Sequence, residues 1–332
     1  MEKDEHWDEL SRRSKKRRKH RKAGQKSREE QLDSDFEQSE ERAFVQGLNS
    51  RSGKYAWMKE ERYNSMFRDI ETKIQGAIGT GTYDWVDRRV FDQVFDRLTL
   101  MALYKLMKSG VIDTLDFPVA QGKEAHVFHG TNLAGKPVAV KIFFTSNAVF
   151  KNLVQYIEGD PRFTGLRRKH RDLVEVWVRK EHRNLTRMAR WGLNVPLPHG
   201  IHKNVLIMDY LGSETSPSPK LRDVHIEEPQ AVFDDLLNFL AISWQKANLV
   251  HGDFSPYNIL WHEGRAKVID VGQAVIESHP RAQEFLVRDV TRLVEWGQKN
   301  GLDVELPEVI YEVLNMDLSH VEQIELPSDG ED

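Results

Sequence analysis

The stretch Leu249-Val250-His251-Gly252-Asp253-Phe254-Ser255-Pro256-Tyr257-Asn258-Ile259-Leu260 is a polar turn between two apolar ends. Seventeen residues beyond Asp253, the run Val268-Ile269-Asp270-Val271-Gly272 puts a second carboxylate at the end of another short apolar segment. Apolar runs of this length read as strands, so Asp253 and Asn258 fall on a connecting loop and Asp270 at a strand end. Few parts are needed to move a phosphoryl group, because that chemistry is mostly positioning and charge neutralisation. One carboxylate must orient a hydroxyl, and a carboxylate with a carbonyl oxygen must hold a metal ion. Asp253 fits the first role, and Asn258 and Asp270 fit the second at the Asp-x-x-x-x-Asn spacing. Oxygen donors without thiolates suit Mg²⁺, which keeps waters and substrate phosphates in its shell. A turn whose Asp and Asn merely cap local backbone is the plain alternative. It leaves His251-Gly252 and Asp270 unexplained.

Upstream, Pro137-Val138-Ala139-Val140-Lys141-Ile142-Phe143-Phe144 reads as a strand, joined through Asn132–Lys136 to the strand Glu124–Phe128 as a hairpin. Lys141 is costly in so apolar a strand unless paired. The helical pattern Leu173–Arg190 offers the partner: Val174, Trp177, Val178, Leu185 and Met188 form a stripe, and Glu181 falls inside it. Two opposite charges on apolar faces predict an ion pair, with Lys141 holding nucleotide phosphates. A Lys141 that snorkels from an edge strand, with Glu181 in solvent, is the alternative. Before that strand, Val119-Ala120-Gln121-Gly122-Lys123-Glu124-Ala125-His126-Val127 carries the middle glycine of a three-glycine phosphate loop; Ala120 and Ala125 replace the others. Gly122 allows one close backbone approach and Lys123 adds charge. Taken alone, this loop reads rather as an ordinary strand turn.

The 332 residues carry a net charge of −4, with a marked asymmetry. Residues 11–28 hold eleven Lys and Arg and no Asp or Glu, leaving 37 basic against 52 acidic residues elsewhere. This describes a basic arm on an acidic body. Without cysteine there is no disulfide framework, thiolate metal site or Cys nucleophile. No apolar run approaches membrane-spanning length and the start is unlike a signal peptide, so the expectation is a soluble, cytoplasmic protein with no membrane partner. Residues 1–42 read as a disordered arm, basic and then acidic, because apolar residues are too sparse to offset chain ordering. Residues 43–110 read as a helical extension, best in Val90–Met101 with apolar positions 90, 91, 94, 95, 98 and 101. A β-rich lobe and hinge over 111–211, including a strand at 204–211, precede a helical lobe over 212–315, with helices at 230–248 and 281–299. Phe285, Leu286, Leu293 and Trp296 form the buried side of the last helix. The acidic residues from Met316 read as an unstructured tail. The fold class is α+β, bilobal and kinase-like, with a small β-rich N-lobe, a reduced helical C-lobe and an N-terminal helical extension.

These residues, as an ordered set, resemble the RIO family of atypical serine/threonine protein kinases, most of all its first subfamily in archaeal-like form. The likeness rests on Gly122-Lys123-Glu124-Ala125, Tyr156-Ile157-Glu158-Gly159-Asp160-Pro161-Arg162-Phe163, and Arg179-Lys180-Glu181 followed by Asn184-Leu185. It continues through His251-Gly252-Asp253, Ser255, Tyr257-Asn258-Ile259-Leu260 and Ile269-Asp270-Val271 with Gln273, and Arg97 with Thr99-Leu100-Met101 agrees as well. About residues 90–300 are covered. The resemblance implies Asp253 as the catalytic residue orienting the acceptor, Asn258 and Asp270 as metal ligands, and Lys141 with Glu181 on the ATP phosphates. It also implies adenine held by the Asp209 carbonyl and Leu211 amide, and Asp270 as the site of an aspartyl-phosphate in an ATPase cycle on pre-ribosomal small-subunit particles. ATP and Mg²⁺ are the implied cofactors, with Mn²⁺ as the alternative metal. Ala120-Gln121 stand where the family has Ser-Thr, which removes the hydroxyls from this loop.

Two other readings compete. Small-molecule phosphotransferases of the aminoglycoside and choline kinase type also use a His-Gly-Asp loop ending in Asn; the Gly-Lys-Glu-Ala loop and the Glu-Gly-Asp-Pro-Arg-Phe insert argue against them. A ribosome-binding scaffold without catalysis would draw on the basic arm, residues 11–28, as an RNA contact. Every catalytic position is intact, however, and a scaffold need not keep them.

Overall fold

The computed structural model describes residues 69–70, 73–74, 94–145, 156 and 170–326, with the side chains of 170–172 left aside. The basic arm, most of the extension read over 43–110 and the 157–163 insert lie outside these residues. All described residues fall in one compact unit, Arg68–Asp332. Helix α1 (Arg97–Lys108) precedes a five-stranded antiparallel sheet built from β1 (Thr114–Gln121), β2 (Ala125–Thr131), β3 (Pro137–Phe143), β4 (Pro198–His202) and β5 (Val205–Asp209), in the order β1-β2-β3-β5-β4. Helix α2 (His170–Arg190) enters between β3 and β4. Helices α3 (Pro229–Gln245), α4 (Ala282–Lys299) and α5 (Leu306–Asn315) make the second part, with the short pairs β6 (Leu249–Val250) with β9 (Val275–Ile276) and β7 (Ile259–His262) with β8 (Arg265–Val268). The α+β, kinase-like class expected above is what is found.

Local chemistry explains most boundaries. The β2–β3 hairpin closes as expected: Asn132 Oδ1 accepts from the Ala134 and Lys136 amides, both at 3.0 Å. Helix α2 buries Val174, Trp177, Val178, Leu185 and Met188. In α4, Phe285, Leu286, Leu293 and Trp296 are buried together as the periodicity requires. One core runs from Phe143 in the sheet through α2 to the helices α3, α4 and α5. Among the described residues, no helix is long and apolar enough to cross a membrane.

Two expectations are corrected, and three elements are added. A continuous helix through 90–101 is interrupted at Asp96, whose extended backbone and carboxylate cap α1 by accepting the Thr99 amide at 2.8 Å. The cap resets the helical phase, so Leu100, Leu103, Leu106 and Met107 face inward while Leu98 and Met101 are half-buried. The tail from Met316 is not detached over 316–326: Leu318 is buried and the Ile324 amide donates to the Arg190 carbonyl at 2.7 Å. Strands β1 and β4 and helix α5 are additional elements. Both strands are sheet edges with irregular register, where Pro118 and Pro198 cost no central ladder bond.

Candidate active site

Lys141 sits in the middle of β3, flanked by β2 and β5 with Val127 and Leu206 as its register partners. Its Nζ donates to Glu181 Oε1 at 2.6 Å and to Asp270 Oδ1 at 2.9 Å. The pairing of Lys141 with Glu181 expected from their apolar surroundings is therefore present, and Asp270 joins it. Burial alone would pull the ammonium down, but Asp270 and Glu181 together hold it above its ordinary value. Glu181, 1% exposed, is pushed up by burial against the pull of Lys141. Lys141 in turn holds the Asp270 carboxyl below its usual range despite burial.

Asp270 has φ 62° and ψ 54°, a left-handed backbone rare for a residue with a side chain. Its carboxylate nevertheless keeps 47% of its side-chain surface open. The next residues lie close against α2. A Cβ on Gly272 would meet Trp177 Nε1 at 2.9 Å and Glu181 Oε2 at 3.1 Å, so only glycine fits there.

The loop 252–258 is held through its backbone by side chains of α4. Gly252, at φ +77°, donates its amide to Asp289 Oδ2 at 2.7 Å and accepts at its carbonyl from the Arg288 guanidinium. The Phe254 amide donates to Asp289 Oδ1 at 3.0 Å, so one buried carboxylate clamps both sides of Asp253. Burial pushes Asp289 up, opposed by His251 and the two amides. His251 Nε2 donates to the Ile269 carbonyl at 3.1 Å while its Nδ1 accepts from the Asp253 amide at 3.2 Å, fixing one tautomer and tying the loop to the strand before Asp270. Asn258 Nδ2 donates to the Asp253 carbonyl at 2.9 Å and to Oδ2 at 3.1 Å, which orients the exposed Asp253 carboxylate. Burial raises the Asp253 carboxyl, opposed by His251 and the Asn258 bond.

Asn258 spends its amide nitrogen on Asp253 and so keeps Oδ1 for another donor or a cation. With the half-open Asp270 carboxylate this makes a set of hard oxygens. Among the described residues no three His, Cys, Asp or Glu side chains form a metal cage of their own. The set fits Mg²⁺, which is bound through one or two protein oxygens plus substrate phosphates.

The remaining expected residues are placed less centrally. Gly122 closes the β1–β2 turn by donating to the Ala125 carbonyl at 2.9 Å, and Lys123 is exposed at its tip. Asp209 ends β5 opposite Val138, three residues along the ladder from Lys141. Its carboxylate is engaged by His199 Nε2 at 2.7 Å and the Leu197 amide at 3.0 Å. Leu211 is buried in the connection that follows, its carbonyl accepting from Ser218 at 2.9 Å. Of the Tyr156–Phe163 insert, Tyr156 alone is described; it packs on Phe285 with ring centroids 5.4 Å apart.

Sequence reasoning missed Asp289 and the part played by Glu124. Asp289 lies four residues after Phe285 and four before Leu293, inside the apolar stripe, which is the signal that identified Glu181 on α2. Glu124, half-buried at the end of the Gly122 turn, is pushed up to about 7, first by burial and then by Asp270. It lies within electrostatic reach of Asp270, Lys141, Glu181 and Asp253.

Comparison with known proteins agrees with this geometry. Residues 126–309 match the family model described as the RIO domain. The chain is 38% identical over 229 residues to the RIO-type serine/threonine-protein kinase Rio1 of Haloferax volcanii, covering 69% of this chain and 78% of that one. It is 33% identical over 233 residues to human serine/threonine-protein kinase RIO1, covering 69% of this chain and 41% of the human protein, so it spans less than half of that relative. Among solved structures, the Chaetomium thermophilum Rio2 kinase–ADP/Mg²⁺–phosphoaspartate complex shares the fold at TM-score 0.52 and 18% identity, over 68% of each chain. With its family match running from β2 into α5 and its identity to the haloarchaeal protein sustained over more than three quarters of that relative, the chain belongs to the RIO family of kinases.

Proposed function

We propose that this chain is an ATP- and Mg²⁺-dependent serine/threonine kinase and ATPase, acting in the cytoplasm on precursors of the small ribosomal subunit, with phosphate passing through Asp270. The observation that carries this reading is the convergence of Lys141, Glu181 and Asp270 beside a clamped Asp253–Asn258 loop. Lys141, held by Glu181, binds the ATP phosphates. Asp253 orients the attacking hydroxyl and withdraws its proton. Asn258 Oδ1 and the Asp270 carboxylate hold the metal, and the Asp209 carbonyl and Leu211 amide hold adenine. Mg²⁺, or Mn²⁺ in its place, neutralises phosphate charge when bound.

The aspartyl-phosphate is supported by the open face of Asp270 and its low proton affinity, which keep a nucleophilic oxygen available. The Rio2 complex named above contains a phosphoaspartate, which is a precedent for that chemistry on this fold. Incubation with γ-labelled ATP should therefore leave hydroxylamine-labile label on the wild type and none on Asp270→Asn. Label only in hydroxylamine-stable esters would mean direct transfer to hydroxyls. No label and no ADP would sink the enzymatic reading.

A large partner is supported by the short path from Asp270 to α4. Only residues 271–281 lie between them, and they are taken up by a 3-10 turn at Val271–Gln273, strand β9 paired to β6, and the turn into α4. No extended platform for a free peptide is left there. The basic arm supplies the RNA contact in this proposal. Affinity for pre-ribosomal RNA should fall steeply with salt, and deleting residues 1–42 should flatten that slope while ATP hydrolysis persists. Equal slopes for the two chains would remove the arm from the interface.

A further inference from the structure

Helix α2 presents a second polar face beside Glu181. Lys180 is 0% exposed, and its Nζ donates to the carbonyls of Gly272 and Ala274, each at 2.6 Å. One turn later, the buried Asn184 donates through Nδ2 to the Val271 carbonyl at 2.9 Å and the Ala274 carbonyl at 3.0 Å. Four hydrogen bonds thus run from one helix to three carbonyls of the segment that follows Asp270. An ammonium buried this deeply is costly unless its donors are satisfied, and a lysine placed here answers a need of the backbone it touches. The need is visible at Asp270. Its left-handed conformation persists only where surrounding structure overrides its own preference. Gly272 is pressed on Trp177 and Glu181 from the same side, so the helix and the segment interlock.

We propose that Lys180 and Asn184 are positioning residues for metal binding: by fixing the 271–274 carbonyls they hold Asp270 left-handed, with its carboxylate on Lys141 and its open oxygen available to the cation. Lys180 does not touch the nucleotide in this scheme. Its effect is transmitted along three residues of backbone to a single carboxylate. The same bonds fasten the Glu181-bearing helix to the metal segment, so the two halves of the site move together or not at all. This inference rests on the Mg²⁺-dependent reading above.

The test compares ADP affinity by calorimetry in the full chain, in EDTA and at the Mg²⁺ concentration that just saturates the wild type. In Lys180→Met and in Asn184→Leu, the gain in affinity that Mg²⁺ confers should shrink by about tenfold, while affinity in EDTA stays within about threefold of wild type. Raising Mg²⁺ should restore most of the lost turnover, which a merely unstable variant would not show. If Lys180→Met does not fold, Asn184→Leu decides, since it deletes two of the four bonds without touching a charge. An unchanged Mg²⁺ gain in a folded variant, or equal losses with and without the metal, would overturn the positioning role alone. A wild type whose ADP affinity ignores Mg²⁺ and that turns over no ATP would overturn the functional reading and this inference with it.

Discussion

Replacing Asp253 with alanine should lower phosphoryl transfer by roughly 10²–10⁴-fold, the usual share of a positioned general base, while leaving ADP affinity within a few-fold. The expectation follows from how the carboxylate is held. Asp289 grips the amides on either side of it and Asn258 steers its Oδ2, yet the group itself is exposed and free to meet an acceptor. The loop loses one Asn258 bond in the variant but keeps the bonds from Asp289, Arg288 and Asn258 to its backbone, so it should keep its shape. Single-turnover rates with calorimetric affinities separate the two effects. Near-normal turnover in the variant would take Asp253 out of the chemistry.

The second large effect belongs to the buried ion pair. Lys141→Met strands Glu181, whose Oε2 already lacks a hydrogen-bond partner, with an uncompensated charge in the core. Breaking such a pair from one side costs about 3–5 kcal/mol, or roughly 6–20 °C in Tm for a body of this size. Turnover should fall by roughly 10²–10³-fold through loss of charge stabilisation. Glu181→Gln should be milder in stability, because Asp270 still accepts from Lys141 at 2.9 Å. Combining the two removes both charges, so the double variant should lose much less than the two single losses together. Strict additivity in Tm and in rate would mean that the pair contributes nothing as a pair.

The parts of this site that could be read in the sequence are those whose chemistry conflicts with their surroundings. Lys141 and Glu181 stand out because charges in apolar stripes need each other, and Asp253, Asn258 and Asp270 because their spacing has few structural uses. Asp289 carries the same conflict, but the stripe of α4 reads well enough from its apolar members to hide one acid among them. Lys180 and Asn184 are harder. In a helix rich in Arg and Lys, a buried lysine looks like its solvated neighbours until the carbonyls it meets, some ninety residues away in sequence, are known. The edge strands are hard to read for another reason: each carries a proline, Pro118 or Pro198, which argues against a strand until the sheet order shows that it sits where a missing donor costs nothing. Likewise, the phase of α1 depends on whether Asp96 caps or continues a helix, which the apolar spacing around it leaves undecided.

The four bonds from α2 to the 271–274 carbonyls also bear on inhibitor chemistry. A compound lodged between α2 and the segment after Asp270 would have to push that segment away. In this chain that movement would break four hydrogen bonds and an ion pair, and would pull the carbonyls of Val271, Gly272 and Ala274 away from the buried donors of Lys180 and Asn184. Scaffolds that require this displacement therefore meet a closed wall. On the functional reading proposed above, selective ligands gain their contacts instead from the Gly122 turn and the Asp209–Leu211 connection.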